Sequence, residues 1–318
     1  MQSLPQTPPS PVPGCPLCGC ANPYQVEGLS GKELRALWRE MGIEFHPEAW
    51  GEISEDYFVE LQQCRGCGFQ FFDPALAGNE IFYQQLARPG YFSPTRPEFE
   101  RTLKFARSLR ASRVLDVGCG SGDFLELAQR KGLRTFGLEL NRVAAEKARA
   151  RGHVIFSEML HELDLEKVGG GFDLVTLFQV LEHVTDPAAV LKQARSLLNP
   201  SGRISIAVPS SEGICRLSRW EPAQWPPHHV TWWRLRDFKR LAETVGMELV
   251  ESGSDVLLGA EIVERWKLHN RMARVLGRPG LWGGDWLPAL FGLGYRKAGI
   301  KFLFPRKGTS IYAYFKKT

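Results

Sequence analysis

The chain has 318 residues, of which 43% are hydrophobic and 24% are charged, as in an ordinary globular protein. This length accommodates one large domain and one small domain. The formal net charge of +5 at pH 7 is too small to require an anionic partner such as a nucleic acid. No apolar stretch is long enough to cross a bilayer, so we expect no membrane span.

The first segment, residues 1–13, is rich in Pro, Ser and Gln and lacks the charged and apolar regions of a signal peptide. We expect it to be a disordered leader and the protein to be cytoplasmic. The chain also contains 7 cysteines. Without a secretory signal, this number favours metal binding over disulfides.

Two segments, 15–19 and 64–68, share the pattern Cys-x-x-Cys-Gly. In each, the glycine lets backbone amides turn towards the thiolates. Four thiolates are enough to close a tetrahedral structural zinc site, whereas the alternative is a set of buried thiols without a metal. The matching glycines favour zinc, and Cys20 and His46 are not expected to be ligands. The predicted ligands are Cys15, Cys18, Cys64 and Cys67.

The two cysteine pairs lie farther apart than in a compact zinc ribbon, and a helix accounts for the extra residues. Ser30 is the expected N-cap of this helix, with Glu33 at the capping-box position. Residues 57–61 and 69–74 are the expected strands around the second cysteine pair. We therefore predict that residues 14–78 form a zinc-ribbon-like module with a helical insertion.

Residues 79–111 form the next predicted unit, a helical connector or lid rich in aromatic side chains. Its last part, 98–109, has the apolar spacing of a helix. Tyr83, Tyr91 and Phe92 either face a ligand or pack two domains against each other, and both alternatives remain open at this point.

A glycine-rich turn organises the rest of the chain. The apolar run 113–117 contains Asp116 and is followed by Gly118, Gly120 and Gly122. A helical pattern then begins, so this order predicts a buried parallel strand, a tight turn and a helix N-terminus. Glycine permits a positive φ and lets a ligand approach the backbone amides. We expect a ligand at the carboxyl end of this strand.

The spacing of the turn excludes two common phosphate-binding loops. Gly118, Gly120 and Gly122 form G-x-G-x-G rather than the G-x-G-x-x-G of dinucleotide sites, and no Gly-Lys-Ser/Thr of a P-loop follows. Asp116 would also repel a pyrophosphate. Glu139 ends a second apolar run, where a carboxylate accepts hydrogen bonds from both hydroxyls of a ribose. These residues predict a cationic ribonucleoside ligand without phosphate.

Strands and helices alternate after the turn, as in a doubly wound α/β fold. The expected strands are 113–117, 135–139, 153–156, 172–178, 203–208, 247–251 and 310–315, and the expected helices are 123–131, 142–151, 187–198 and 234–241. Residues 199–202 are expected to form a turn. The stretch 257–307 is too long for a hairpin loop, and its apolar spacing predicts a helical insertion with helices near 262–272 and 286–298.

Four features in this order resemble the class I S-adenosylmethionine-dependent methyltransferases. The glycine turn resembles motif I of that family and is the first feature, and Glu139 is the second. Residues 172–184 with their Leu-Glu-His-Val segment resemble motif II, and residues 197–203 resemble motif III. The resemblance implies a Rossmann-like sheet of seven strands with the last strand antiparallel. It also implies S-adenosyl-L-methionine as cofactor and a methyltransferase domain over residues 112–318.

The resemblance further implies which residues contact the cofactor. Glu158 and Met159, after the third strand, lie near the adenine, and the backbone at Phe178 and Gln179 faces the methionine part. The full predicted set is Asp116, Gly118, Cys119, Gly120, Gly122, Glu139, Leu140, Glu158, Met159, Phe178 and Gln179. We interpret His183, in the segment after the fourth strand, as a structural residue.

The segment 220–233 contains four tryptophans and the adjacent His228 and His229. An unperturbed imidazole ionises near working pH, so either histidine is a candidate general base. The alternative is that the imidazole caps a helix or binds a carbonyl group. The segment resembles the P-x-H-x-x-x-F/W-T segment of small-molecule methyltransferases, including sugar C-methyltransferases and ubiquinone-type O-methyltransferases. This resemblance places His229 ahead of His228.

We therefore expect an enzyme that methylates a hydroxyl or an acidic carbon of a small molecule, such as a sugar or a quinone-like compound. An RNA methyltransferase is the first alternative, but residues 15–74 carry more acidic than basic side chains and would repel a phosphate backbone. A non-catalytic scaffold that binds the cofactor is the second alternative. The basic insertion is compatible with a lid, a membrane contact or a homodimer surface, but we expect it to be a solvated charged face over a satellite core.

Overall fold

The computed structural model describes residues 14–86, 96–255, 259–281 and 308–318. The predicted leader, the connector residues Tyr91 and Phe92, and the predicted helix over 286–298 lie outside these ranges. The strands are β1 (Pro23–Ser30), β2 (Phe58–Cys64), β3 (Gln70–Phe71), β4 (Arg113–Val117), β5 (Arg134–Leu138), β6 (Val154–Phe156), β7 (Phe172–Phe178), β8 (Leu198–Pro209), β9 (Thr231–Trp232), β10 (Met247–Ser254) and β11 (Ser310–Lys317).

The helices complete the list of elements. They are α1 (Gly31–Glu40), α2 (Glu80–Leu86), α3 (Pro97–Ser108), α4 (Asp123–Arg130), α5 (Arg142–Ala150), α6 (Leu165–Val168), α7 (Pro187–Ser196), α8 (Asp237–Val245) and α9 (Gly259–Val275). The predicted helix near 262–272 is therefore present as α9, whereas α2 was not predicted. Within the described ranges, no helix is both long and apolar enough to cross a membrane.

The main sheet has seven strands in the order β10-β11-β8-β7-β4-β5-β6. The strands β8, β7, β4, β5 and β6 are parallel to one another, whereas β11 is antiparallel to both β8 and β10. The predicted doubly wound sheet with an antiparallel last strand is thus confirmed. Because β4, β5 and β7 are parallel, their carboxyl ends meet at one edge, which is where ligands bind in such sheets.

Strand β8 differs from the prediction, because it includes residues 199–202, which were expected to form a turn. Along β7 and β8 the pairing passes from Phe172 and Leu198 directly to Leu174 and Arg203. The extra residues on β8 therefore form a bulge inside the strand.

Helix α8 begins at Asp237, three residues after the predicted start. The Asp237 carboxylate accepts a hydrogen bond from the backbone N–H of Arg234 at 2.8 Å. The backbone N–H of Asp237 also donates to the carbonyl oxygen of Arg234 at 2.9 Å, so residues 234–237 form a turn that leads into the helix.

A second sheet has four strands in the order β1-β2-β3-β9. Its last strand, β9, comes from the tryptophan-rich segment and not from residues 14–78. A backbone bridge between Ser210 and Trp233 connects this segment to the end of β8. The small sheet and the main sheet are thus joined at the edge where β8 ends, and the boundary at residue 78 stays a prediction.

The predicted capping box at the start of α1 is confirmed. Ser30 Oγ accepts from the backbone N–H of Glu33 at 3.2 Å, and the Glu33 carboxylate accepts from the backbone N–H of Ser30 at 2.7 Å. Helix α1 then buries one apolar face, which includes Trp38, and the ring of Trp38 packs edge-on against Phe82 of α2 with centroids 6.1 Å apart. The two helices thus close one side of the small sheet.

Candidate functional site

The glycine turn lies between the end of β4 and the start of α4. Gly118, Gly120 and Gly122 have φ values of 70°, 54° and 84°. These left-handed conformations confirm that the turn requires glycine. The backbone N–H groups of Gly118 and Cys119 both donate to the carbonyl oxygen of Leu138, at 2.8 and 3.1 Å, and hold the turn against the end of β5.

Two of the glycines also allow close packing inside the protein. A Cβ atom on Gly118 would lie 2.9 Å from Cγ2 of Val180, and one on Gly122 would lie 2.8 Å from Cδ2 of His153. Side chains of the chain itself therefore fill the space that we expected a ligand to need at these two positions. Cys119 is also buried and packs as a small core residue, so only its backbone is available to a ligand.

Asp116 lies beneath the turn and is 3% exposed. The hydroxyl of Thr176 donates to its carboxylate at 2.6 Å, and burial raises the pKa of Asp116 to about 7. The carboxylate is thus already hydrogen-bonded within the protein, and a contact between Asp116 and a cofactor stays a prediction. Asp123, at the start of α4, is ion-paired with Arg151 at 2.7 Å and is likewise occupied.

Glu139 follows β5 and faces the glycine turn. One carboxylate oxygen accepts from the backbone N–H of Gly120 at 2.8 Å, and the other accepts from the backbone N–H of Asn141 at 2.7 Å. These bonds fix the carboxylate at the edge where β4 and β5 end. Burial raises the pKa of Glu139 above its usual value. Each oxygen retains a second lone pair, so the carboxylate can accept hydrogen bonds from vicinal hydroxyls.

Two exposed apolar side chains flank this edge. Leu140 is 61% exposed and Met159 is 49% exposed, so both present apolar surface on which a flat ring could pack. Glu158 lies between the end of β6 and Met159. Its Oε1 atom is buried and has no hydrogen-bond partner among the residues that the structure describes. An amino group of a ligand would satisfy this acceptor, since buried polar atoms in native proteins are normally paired.

The carboxyl end of β7 presents backbone rather than the side chain of Phe178. That ring packs against phenylalanine rings of α3 and α4 at centroid distances of 5.2 and 4.9 Å. Gln179 has a φ of 56°, which is uncommon for a residue other than glycine. Its side-chain amide donates to the carboxylate of Glu98 at 3.3 Å and to Ser310 Oγ at 3.1 Å.

Glu98 was missed by the sequence analysis. It is 4% exposed, and burial raises the pKa of its carboxyl group. The guanidinium of Arg96 lies 4.0 Å from it. In the sequence, its only signal is an acidic residue in the first turn of a predicted helix, which is the common pattern of an exposed side chain.

Three histidines lie together beyond the end of β7. The ring centroids of His228 and His229 are 4.4 Å apart, and the ring of His183 lies 4.6 and 4.8 Å from them. Nδ1 of His228 is 2.8 Å from the carbonyl oxygen of Ala223, and Nδ1 of His183 is 2.7 Å from the carbonyl oxygen of His228. A carbonyl oxygen only accepts, so both Nδ1 atoms carry the proton. The hydroxyl of Tyr83 also donates to the His228 carbonyl, at 3.2 Å.

Burial changes the expected ionisation of this cluster. It lowers the pKa of His183 to about 4 and that of His228 to about 3, and it lowers the pKa of His229 well below its usual value. The expectation that His228 and His229 ionise near working pH is therefore corrected, and their rings are neutral at pH 7. His183, which we interpreted as a structural residue, packs directly against both.

The carboxyl group of Glu182 lies beside the cluster. It is 1% exposed, and burial raises its pKa to about 8. Oε1 is 3.8 Å from Nε2 of His183, and within the part of the chain that the structure describes neither carboxyl oxygen has a hydrogen-bond partner. Glu182 is therefore a protonated, neutral acid at pH 7.

The four predicted zinc ligands lie in one cluster. Their Sγ atoms are all within 4.8 Å of one another, with Cys15 and Cys67 3.6 Å apart and Cys18 and Cys64 3.5 Å apart. A tetrahedral zinc ion with Zn–S bonds of about 2.3 Å places its sulfur atoms roughly 3.8 Å apart, so the spacing fits. The N–H groups of Gly66 and Cys67 point to Cys64 Sγ at 3.3 and 3.4 Å, as the predicted turn requires.

Comparison with curated proteins identifies similar sequences. The ubiquinone biosynthesis O-methyltransferase of Nitrosococcus oceani is 32% identical over 140 residues, which are 40% of this chain and 59% of that protein. The ubiquinone biosynthesis O-methyltransferase of Rhodopseudomonas palustris is 28% identical over 193 residues, which are 55% of this chain and 73% of that protein. The chain thus spans less than two thirds of the first of these relatives.

Similar solved structures include the CcbJ methyltransferase from Streptomyces caelestis, with a TM-score of 0.46, 14% identity, and coverage of 70% of this chain and 90% of that chain. Magnesium protoporphyrin IX methyltransferase from Synechocystis has a TM-score of 0.45 and 12% identity over 69% of this chain and 82% of that chain. Among family models, the one described as "Methyltransferase domain" matches residues 91–252, hence 162 of the 318 residues. The chain therefore belongs to the methyltransferase-domain family.

Proposed function

We propose that this chain is an S-adenosyl-L-methionine-dependent methyltransferase that acts on a small-molecule acceptor. The observation that carries the proposal is the left-handed glycine turn after β4, which is bonded to the fixed carboxylate of Glu139 at the edge of the sheet. A turn without a phosphate-binding motif, beside an acceptor for ribose hydroxyls, suits a nucleoside without phosphate. Membership of the methyltransferase-domain family supports the same cofactor.

The residues around the turn fit this cofactor, which supplies a methyl group on a sulfonium centre for an in-line displacement. Glu139 would hold the ribose hydroxyls, and the exposed side chains of Leu140 and Met159 would cover the adenine. The unpaired oxygen of Glu158 would accept a hydrogen bond from the adenine amino group. The backbone at Gln179 would face the methionine part, because it lies at the same edge of the sheet.

His229 is the candidate general base. In the described parts of the chain, neither of its ring nitrogens makes a hydrogen bond, whereas Nδ1 of His228 and Nδ1 of His183 are each bonded to a carbonyl oxygen. Its depressed pKa keeps the ring neutral at pH 7, so a ring nitrogen has a lone pair for the proton that a hydroxyl or acidic carbon loses on methylation, although the same shift makes it a weaker base than an exposed histidine. The ring of His228 stacks on it at an interplanar angle of 19° and would fix its orientation.

A hydroxyl group is the favoured acceptor, because the curated relatives described above are named O-methyltransferases. The acceptor would enter between the glycine turn and the histidine cluster, where the ring of Tyr83 lies 5.8 Å from that of His183. The main contribution of the protein would be to align the acceptor oxygen with the methyl group at about 3–3.5 Å.

A structural zinc ion at the four cysteines is the second part of the proposal. The sulfur spacing and the N–H groups directed at Cys64 support it. Without a cation, burial raises the pKa of Cys67 to about 11, so zinc binding would release the proton of this thiol and leave a thiolate ligand. The ion would hold together the two ends of the module formed by β1, α1 and β2.

The test is methyl transfer from S-adenosylmethionine labelled in its methyl group to a panel of phenols, catechols and sugars. We expect His229→Asn to lower kcat by about 100-fold or more, since general base catalysis typically contributes that much, and to leave cofactor affinity unchanged. His46→Gln is the matched control, because His46 is exposed and lies in the small module. A wild type that binds the cofactor but labels no acceptor, or a His229 variant with full activity, would contradict the respective part of the proposal.

A further inference from the structure

A cleft of about 570 Å³ lies between the small sheet and the loop after β8. Its volume is in the range of small-molecule sites. Its walls include four arginines, which are Arg216, Arg219, Arg234 and Arg236. The tryptophan-rich segment, which carries His228 and His229, supplies Gln224 and Trp232 to the cleft, and the cleft shares none of the three clustered histidines.

These four arginines differ in whether their guanidinium groups already make hydrogen bonds or ion pairs within the protein. Arg234 is committed to the structure, since it is buried and pairs with Asp237 and with the backbone carbonyl of Gly68. Arg216 and Arg236 are both exposed. In the described ranges neither of these two guanidinium groups makes a hydrogen bond or an ion pair, so both are available to a ligand.

The third available arginine, Arg219, is oriented by the fold. Its guanidinium lies over the ring of Trp220, 4.5 Å from the centroid, and its Nε atom is buried without a hydrogen-bond partner among the described residues. A buried unpaired donor is costly, because it has lost its hydrogen bonds to water. An anionic oxygen in the cleft would satisfy it.

The acidic residues of the cleft do not cancel this charge. The Glu27 carboxylate accepts from Nε1 of Trp220 at 2.8 Å and pairs with Arg278 at 3.4 Å, so its charge is already balanced. Glu212 remains as one negative charge against Arg216, Arg219 and Arg236. The amide side chains of Gln63, Gln70 and Gln224 add neutral hydrogen-bonding groups to the walls. The cleft therefore has an excess of positive charge and several donors.

We propose that this cleft binds a small molecule that carries a diphosphate group. Guanidinium groups bind phosphate oxygens with paired, charge-assisted hydrogen bonds. Three guanidinium groups carry more positive charge than one carboxylate of a ligand would neutralise, whereas a diphosphate carries several negative charges. The indole of Trp232 and the exposed side chain of Val26 provide an apolar surface beside the charged end, for the uncharged part of the ligand. The binding itself does not depend on the proposed methyl transfer.

The experiment is calorimetric titration of the full chain with inorganic pyrophosphate at low and at physiological ionic strength. We expect saturable 1:1 binding that weakens with salt, and we expect Arg216→Gln/Arg236→Gln to lose at least about tenfold in affinity, because each charge-assisted hydrogen bond contributes appreciably. Both side chains are exposed, and the thermal unfolding temperature of the double variant should match that of the wild type.

The matched control is Arg130→Gln/Arg142→Gln, which removes two charges from helix surfaces far from the cleft in sequence. Their side chains are 70% and 89% exposed and pair only with acids one turn away. The control should bind pyrophosphate as tightly as the wild type. If the wild type shows no saturable binding at physiological ionic strength, or if the control loses as much affinity as the cleft variant, the proposal is overturned.

The ligand is either the methyl acceptor or a separate phosphorylated compound. A second experiment distinguishes these two alternatives. Wild type is incubated with methyl-labelled S-adenosylmethionine and a mixture of uridine diphosphate sugars. Labelling of a nucleotide sugar that the cleft variant loses and the control keeps identifies the acceptor. Pyrophosphate binding without such labelling identifies a separate diphosphate ligand, and supports the cleft even where the proposed methyl transfer fails.

Discussion

Gly122 shows how one residue meets two demands of the turn at once. Its φ of 84° favours glycine on backbone grounds, and the space of its missing Cβ is taken by the ring of His153. Gly132, in the turn after α4, has nearly the same φ, 85°, but nothing lies within 4 Å of the position of its Cβ. A comparison of substitutions at Gly122 and Gly132 therefore distinguishes the cost of the left-handed backbone, which both share, from the cost of close packing, which only Gly122 has.

We predict that Gly122→Ala destabilises the protein by about 1–3 kcal/mol more than Gly132→Ala does. Both variants place alanine in a left-handed conformation, and only the first also overpacks a buried site. Urea unfolding of the two variants and the wild type measures the difference. Equal destabilisation of the two variants would show that His153 moves away at little cost and that the close packing at the turn is unimportant.

The sequence predicted the parts of the candidate site that are formed by neighbouring residues. It did not predict the contacts between residues that are far apart in the chain. Gly118, Gly120 and Glu139 could be predicted, because a strand, a turn and a charged residue at a strand end are patterns of neighbouring residues. The contact between Gln179 and Glu98 joins positions 81 residues apart, and nothing local signals it. Burial reversed a prediction as well, because the ordinary pKa of histidine does not apply to His229 in the cluster.

Among the elements, the small sheet differs most from the sequence prediction. The capping box of α1 was predicted, since Ser30 and Glu33 are neighbours in sequence, but β1 and α2 were not. The decisive contact is β9, which adds Thr231 and Trp232 to β3 after more than 150 intervening residues. A strand of two residues has no detectable periodicity, so this pairing depends on the tertiary fold.

The cysteine cluster leads to a prediction at the same scale. We expect purified protein to contain one zinc ion per chain, measured by plasma mass spectrometry. Chelation should lower the thermal unfolding temperature, because a structural zinc site contributes folding free energy directly. Cys64→Ser should abolish the bound zinc, whereas Cys20→Ser should keep it, since Cys20 does not belong to the sulfur cluster. Metal-free protein with unchanged stability would contradict the zinc site.

At the scale of the whole molecule, buried titratable groups determine how stability depends on pH. His183, His228 and His229 have depressed pKa values, so the unfolded chain takes up protons first as the pH falls below about 6.5. Their contribution to stability is therefore lost as the pH falls from there towards 4. Glu182, with a pKa of about 8, and Asp116, with a pKa of about 7, act oppositely, because the folded state retains their protons. Their contribution is present below their ordinary pKa values near 4 and is lost as the pH rises from there to about 8.

We predict that the free energy of unfolding falls as the pH rises from 6.5 to 8, because the histidines are then largely neutral in both states and the folded chain still retains the protons of Glu182 and Asp116. Each fully shifted group contributes a slope of about 1 kcal/mol per pH unit within its window. Glu182→Gln should flatten the fall between pH 6.5 and 8, and His183→Asn should raise the stability at pH 5 relative to that at pH 6.5. Urea unfolding at pH 5, 6.5 and 8 measures these slopes, and a stability that does not change with pH would contradict the described burial.

The central claim is that the edge formed by the glycine turn and Glu139 binds S-adenosylmethionine. Calorimetric titration of wild type, Glu139→Ala and Glu139→Gln with S-adenosylmethionine and with NAD tests it most directly, with the exposed Glu146→Ala as control. We expect 1:1 binding of S-adenosylmethionine, no binding of NAD, and at least a tenfold loss of affinity in Glu139→Ala from two lost ribose hydrogen bonds. Binding of NAD in its place, or a Glu139→Ala variant that binds S-adenosylmethionine as tightly as the control does, would contradict the account.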